Sequence, residues 1–177
     1  MKIGQPIEQE MFRIFLSSGD DAADLRDRVE ALVHDAINPQ LLEAQMQIRL
    51  EVDRWEKTAA QRAHPGKNTN DLFVQRALES NLTMALLQDR VGDGTREELE
   101  AALAAETEVS ALWFVPRDSE PDSEVARFLT PHKQTLYYDK TGAPDSDESW
   151  LGITRILFGM VLTALGQRQE GLRVERR

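Results

Sequence analysis

The sequence predicts an α/β fold: a three-layer sandwich built on a mainly parallel sheet of about five strands. Three observations predict it. Short apolar runs alternate along the chain with segments whose apolar residues recur at helical spacing. Two of those runs, around Leu82–Leu87 and Val109–Val115, are apolar almost without interruption, as suits central strands covered on both faces. Several of the runs give way to Gly, Ser or Asp within a residue or two, the chemistry of a loop at a strand end.

Taken in order, Phe12-Arg13-Ile14-Phe15-Leu16 reads as a first strand, closed by Ser17-Ser18-Gly19. From Asp20 to about His34, Ala22, Leu25, Val29, Leu32 and Val33 mark a helix that packs back on the sheet, with acids at its start. Residues 38–47 show no clean period, and Asn38-Pro39 reads as a break. Ile48, Leu50 and Val52 alternate with charged residues, the two-residue period of an edge or half-buried strand, and Trp55 lies just past its end. After His64-Pro65-Gly66 a helix is expected over Asn70–Ser80, then the Leu82–Leu87 strand. The loop Val91-Gly92-Asp93-Gly94 leads into a helix through Leu99, Ala102 and Leu103, and Val109–Val115 forms the next strand. A polar loop, a short apolar stretch through Val125 and Phe128, a last strand at Leu136-Tyr137-Tyr138 and an apolar helix from about Trp150 to Leu165 complete the order.

The chain has 177 residues, room for one domain: an arm over 1–11, the α/β domain over 12–167 and a basic tail over 168–177. Hydrophobic residues make up 41% and charged residues 29%, the composition of a folded globular chain, not of a fibre or a disordered one. No cysteine is present, so disulfides, thiolate nucleophiles and sulfur-bound metals are excluded, which suits a reducing cytoplasm. Thirty-one acids against 21 Lys and Arg leave a net charge of -10, a field that repels a phosphate backbone and argues against nucleic acid as a partner. The most apolar stretch, Leu151–Leu165, is shorter than the roughly 20 residues a bilayer needs, so no membrane partner is expected.

Parallel sheets bind ligands outside the C-terminal ends of their strands, which directs attention to Ser17–Asp21, Asp53–Glu56, Gln88–Glu98 and the loop after Val115. Gly66-Lys67-Asn68 lacks the upstream glycine and terminal hydroxyl of a phosphate loop, and Gly92-Asp93-Gly94 lacks the third glycine of a dinucleotide fingerprint. His34, His64 and His132 stand far apart, without metal-ligand spacing, so no metal is expected.

Ser17, Ser18 and Asp20 crowd the tip of the first strand, where they either hold a phosphate or ribose hydroxyl or, as Ser18 or Asp20, cap the following helix. Thr95-Arg96-Glu97-Glu98 has the form of a capping box, yet the same Glu98 at the rim of the sheet could bind a ribose diol, stabilise charge on an anomeric carbon or steer a water. Trp55 either stacks on a base or packs beneath its loop. Arg54 and Arg90 either grip a pyrophosphate or pair with nearby acids. The final helix, apolar on nearly every face, either lies deep in the sandwich or meets a second subunit.

With these residues in view, a resemblance emerges. Phe12-Arg13-Ile14-Phe15-Leu16-Ser17-Ser18, followed by an acidic helix start, resembles the opening strand of Toll/interleukin-1 receptor (TIR) domains and their bacterial TIR-like relatives. It is also similar to an uncharacterised bacterial domain often fused to signalling NTPases. In that relative a Trp-Glu pair, here Trp55-Glu56, follows the second strand, and an apolar strand leads to Arg90, Gly92 and a Thr-x-x-Glu helix start, here Thr95–Glu98. The resemblance covers roughly residues 12–115 and implies a flavodoxin/TIR-like sheet. It also implies cleavage of the nicotinamide–ribose bond of NAD, yielding ADP-ribose or a cyclic form, in bacterial defence. NAD would be the substrate and no separate cofactor is needed. Glu98 would be the catalytic carboxylate with Glu97 in reserve, and the site would be assembled in a homo-oligomer or with a partner protein. Two alternatives stand beside it: a non-catalytic interaction module, and a glycosidase or deoxyribosyltransferase-like enzyme for nucleosides or nucleotides. The chain departs from many TIR domains in its longer 36–47 stretch and in carrying Gly92-Asp93-Gly94-Thr95 where they have a Trp-Cys pair.

Overall fold

In a computed structural model, which describes residues 10–19, 22–54, 69–115, 123–142, 144 and 147–175, five parallel strands lie in the order β2-β1-β3-β4-β5. They are β1 (Glu10–Ser17), β2 (Ile48–Arg54), β3 (Leu82–Leu87), β4 (Val109–Phe114) and β5 (Tyr137–Thr141). The helices are α1 (Ala23–Leu32), α2 (Asn38–Glu43), α3 (Thr69–Glu79), α4 (Asp93–Ala104), α5 (Glu124–Leu129) and α6 (Asp147–Glu175). This is the flavodoxin-like, doubly wound arrangement.

The two-residue period of the strands sorts their side chains onto two faces. Phe12, Ile14 and Leu16 of β1, Leu82, Met84 and Leu86 of β3, and Leu112 and Phe114 of β4 face α1, α2 and α6. Ala85, Leu87, Ala111 and Trp113 pack with Leu99 and Ala102 of α4 and Val125 and Phe128 of α5. Phe15 joins Phe73 and Ala77 of α3 on that second side. All six residues of β3 and of β4 are buried, which is why their sequences show no alternation.

Two elements differ from the sequence-based expectation. Residues 33–43 continue the first helix through a π-turn (Val33–Ile37) into α2, with Pro39 at its first turn. A proline is compatible with a helix start because its missing N–H has no intrahelical acceptor there, and the π-turn resets the hydrogen-bond register just before it. The same wide turn presents Asn38 to the outer edge of β2. Its amide accepts from the Leu50 N–H (2.9 Å) and donates to the Leu50 carbonyl (3.1 Å), covering an otherwise open strand edge.

The second difference is α6, which runs 29 residues to Glu175. Its window Trp150–Gln167, of mean hydropathy 1.3, is long and apolar enough by length and composition to cross a bilayer, so the shortness expected from the sequence does not hold. Trp150, Ile153, Leu157, Met160, Val161, Ala164 and Leu165 nevertheless bury against the sheet and α1 side of the core. Leu151 and Leu162 face outward.

Candidate functional site

In this strand order the chain leaves β1 toward β2 on one side and returns to β3 on the other, so the topological switch lies between β1 and β3. Their C-terminal ends meet in register, with Ser17 opposite Ala85. A cleft of about 330 Å³ opens there. Its walls are Ser18 and Gly19 after β1, Arg90 and Gly92 after β3, Asp93, Gly94, Thr95 and Glu98 of α4, and Asn70 and Phe73 of α3.

Glu98 is the buried carboxyl of this wall, with 7% of its surface exposed. Ser17, itself 1% exposed, donates a hydrogen bond from its hydroxyl to Oε2 of Glu98 across the gap between β1 and α4. Burial pushes the Glu98 carboxyl up to about 7; the Ser17 hydrogen bond opposes that rise, and the neighbouring charge of Glu97 adds to it. A carboxyl poised near neutrality in a cleft can both give and accept a proton at physiological pH.

The rest of the rim is held from below. Arg26 of α1, fully buried, donates to the Gly19 carbonyl (2.7 Å) and to the Ser18 hydroxyl, anchoring the loop after β1. Helix α4 begins after Gly92, an extended residue without a side-chain cap, and its first helical bond runs from the Arg96 N–H to the Gly92 carbonyl (2.9 Å). The N–H groups before it have no intrahelical acceptor and lie on residues that line the cleft. Gly94 allows α3 to approach: a Cβ there would stand 3.3 Å from Asn70 Oδ1.

Several expectations are corrected. Thr95–Glu98 is not a capping box, because Glu98 turns to Ser17 and the N-cap is Gly92, three residues before Thr95. Ser18 does not cap α1, whose N-cap is Ala22; the Ser18 hydroxyl accepts from Arg26. Arg54 and Arg90, expected at neighbouring strand ends, are set apart, since β1 lies between their strands. Arg54 is held by Asp27 and by Glu30 (3.2 Å) of α1, away from the cleft wall. Arg90 is on the wall, exposed, and among the described residues it makes no ion pair. Glu97 is exposed and accepts from Asn70 Nδ2. Asp20 and Trp55 lie outside the described residues, as does the loop after Val115.

Sequence reasoning missed Arg26, Asn70 and Phe73 as site residues. Phe73 was legible only as the apolar side of a helix; that α3 crosses to the face opposite α1, and so flanks the switch point, depends on strand order. Among the described residues no group of three His, Asp or Glu is placed to hold a metal ion. A larger cavity, about 580 Å³, lies at the opposite pole beside Glu106, Glu108, Lys133 and Tyr137, where strands β4 and β5 begin.

No protein-family model and no curated protein matches the chain. Among solved structures it is similar to the sugar isomerase domain of an RpiR transcription factor from Sphaerobacter thermophilus. That likeness has 15% identity and a TM-score of 0.40, and covers 96% of this chain and 80% of that one.

Proposed function

We propose that the protein acts on the N-glycosidic bond of a nucleotide-type substrate, and that the bond it cleaves is the nicotinamide–ribose bond of NAD. One observation carries the glycosidic chemistry: a single buried carboxyl, Glu98, forms part of the wall of the cleft at the β1/β3 switch point. The choice of NAD rests on the TIR-like order of motifs in the sequence, Ser17-Ser18, then Arg90 and Gly92, then Glu98.

In the proposed reaction the ionised Glu98 hydrogen-bonds the ribose hydroxyls and stabilises the positive charge that develops on the anomeric carbon. The bond to nicotinamide breaks with its electron pair going to the ring nitrogen, which leaves neutral. Water then adds to the anomeric carbon and releases a proton, giving ADP-ribose and nicotinamide. Arg90 holds the pyrophosphate at the rim with the opening N–H groups of α4, and Phe73 supplies an aromatic wall. The site works in a homo-oligomer or with a partner protein, so assays belong at high protein concentration.

The nucleoside or nucleotide glycosidase is the second reading, favoured by the same carboxyl near neutrality. The two require opposite charge states. Nicotinamide departs from an already cationic nitrogen and needs no proton, whereas a neutral base needs one from the protonated acid. For NAD, kcat/KM therefore rises as pH increases through about 7; for a neutral-base nucleoside it falls through the same range. The test is release of nicotinamide or free base from a panel of NAD and nucleosides across pH 5–9, wild type beside Glu98→Gln. Loss in the variant with the fold intact supports the glycosidic chemistry, and the direction of the pH limb selects the substrate. Turnover that survives Glu98→Gln refutes the role of Glu98, and no turnover of any substrate favours a non-catalytic interaction module.

A further inference from the structure

We infer that Ser17 is a positioning residue for Glu98, not a ligand of the substrate: it aims the carboxyl from behind the cleft. This rests on the glycosidic role given to Glu98 above. Ser17 has the last backbone position of β1 and is almost wholly buried, and the cleft wall begins one residue later, at Ser18. Its hydroxyl therefore has no access to a bound sugar. What it does have is Oε2 of Glu98, 81 residues away in sequence, to which it donates.

Three features make the contact directional. Ser17 is paired with Ala85 of β3 and follows Leu16, which is paired on both sides, with Arg54 of β2 and Met84 of β3, so its Cα is held by the sheet and not by the loop that follows. That loop is separately tied down through Ser18 and Gly19 by Arg26. The hydrogen bond occupies Oε2 alone, and among the described residues no other side chain donates to the carboxyl. One oxygen is thereby turned toward β1 while the other remains for the cleft.

A donated hydrogen bond also favours the charged carboxylate, so Ser17 works against the desolvation that disfavours it. Among the described residues the other charged groups at this place are Glu97 beside Glu98 on α4, with Asp93 at the start of that helix and Arg90 after β3 on the same cleft wall; Arg26 of α1 is engaged below, at the Ser18–Gly19 loop. None of them donates to the carboxyl, so removal of the Ser17 hydroxyl leaves the desolvation unopposed.

The test uses the full chain and two readouts. Carboxyl-labelled glutamate, with Glu98→Gln identifying the resonance, follows the Glu98 titration by NMR without substrate. Nicotinamide release from NAD gives the pH profile. In Ser17→Ala the Glu98 midpoint and the acid limb of kcat/KM move upward together by about one pH unit, and kcat at pH 6 falls about tenfold with KM little changed. Ser17→Thr, which keeps the hydroxyl, returns both toward wild type. A midpoint that does not move in Ser17→Ala overturns the inference, and so does a loss confined to KM, which marks a substrate ligand. If Glu98→Gln still releases nicotinamide, the catalytic reading itself fails, a result distinct from an unshifted Ser17→Ala profile in an enzyme that does need Glu98.

Discussion

Replacing Glu98 with glutamine stabilises the fold above neutral pH while removing the group to which catalysis is assigned. The carboxyl is 7% exposed, and its pKa is raised from 4.5 to about 7, chiefly by desolvation. Between those values the folded state binds more protons at this site than the unfolded state does, so stability falls as pH rises through this window. At about 1.4 kcal/mol per pH unit, holding the ionised carboxylate in the fold costs about 3 kcal/mol by pH 8 relative to pH 4. Glutamine keeps the shape and an oxygen able to accept from Ser17, and never carries the charge. Urea unfolding followed by far-ultraviolet circular dichroism, at half-unit steps from pH 4.5 to 8.5, measures the difference between the two proteins. Subtraction cancels groups common to both, including Glu108, whose carboxyl is also raised by burial. The expected difference is small at pH 4.5 and grows to about 3 kcal/mol in favour of Glu98→Gln at pH 8. A difference that stays constant with pH, or grows in the opposite sense, refutes the buried-carboxyl account of the site.

Arg90→Ala, at an exposed position on the cleft rim, raises KM for NAD about tenfold and leaves thermal stability unchanged. Nicotinamide riboside, which has no phosphate to lose contact with, shows no such change; equal losses on both substrates would remove Arg90 from the phosphate role. Asn38→Ala takes away the two bonds that close the outer edge of β2 and lowers unfolding free energy by about 1–2 kcal/mol in urea titrations. A change below about 0.5 kcal/mol would show that water serves that edge equally well.

Much of the architecture is legible along the chain. The uninterrupted apolar runs become β3 and β4, and the alternation of Ile48, Leu50 and Val52 becomes the edge strand β2. Misreadings arise where a local signal is overruled by a distant partner. Asn38-Pro39 looks like a break because the π-turn that accommodates it, and the β2 edge that rewards Asn38, are absent from a ten-residue window. Thr95–Glu98 matches a capping box, but the Glu98 carboxylate is held instead by a serine on another element. For Arg54 the sequence leaves a phosphate grip and an acid partner equally open, and the choice is made only when α1 brings Asp27 and Glu30 beside it.

By itself the sequence determined the layering of strands and helices, the placing of Glu98 just after the third strand and the net negative charge, because periodicity and composition are local or additive properties of the chain. Only the tertiary structure decided that β1 and β3 lie side by side, so that Ser17 reaches a carboxylate 81 residues away. It also decided that this carboxylate, and not Glu97 next to it, is withdrawn from water. Desolvation and hydrogen bonding are set by what packs around a group, and for Glu98 the hydrogen-bond donor comes from β1, an element far from its own helix in sequence.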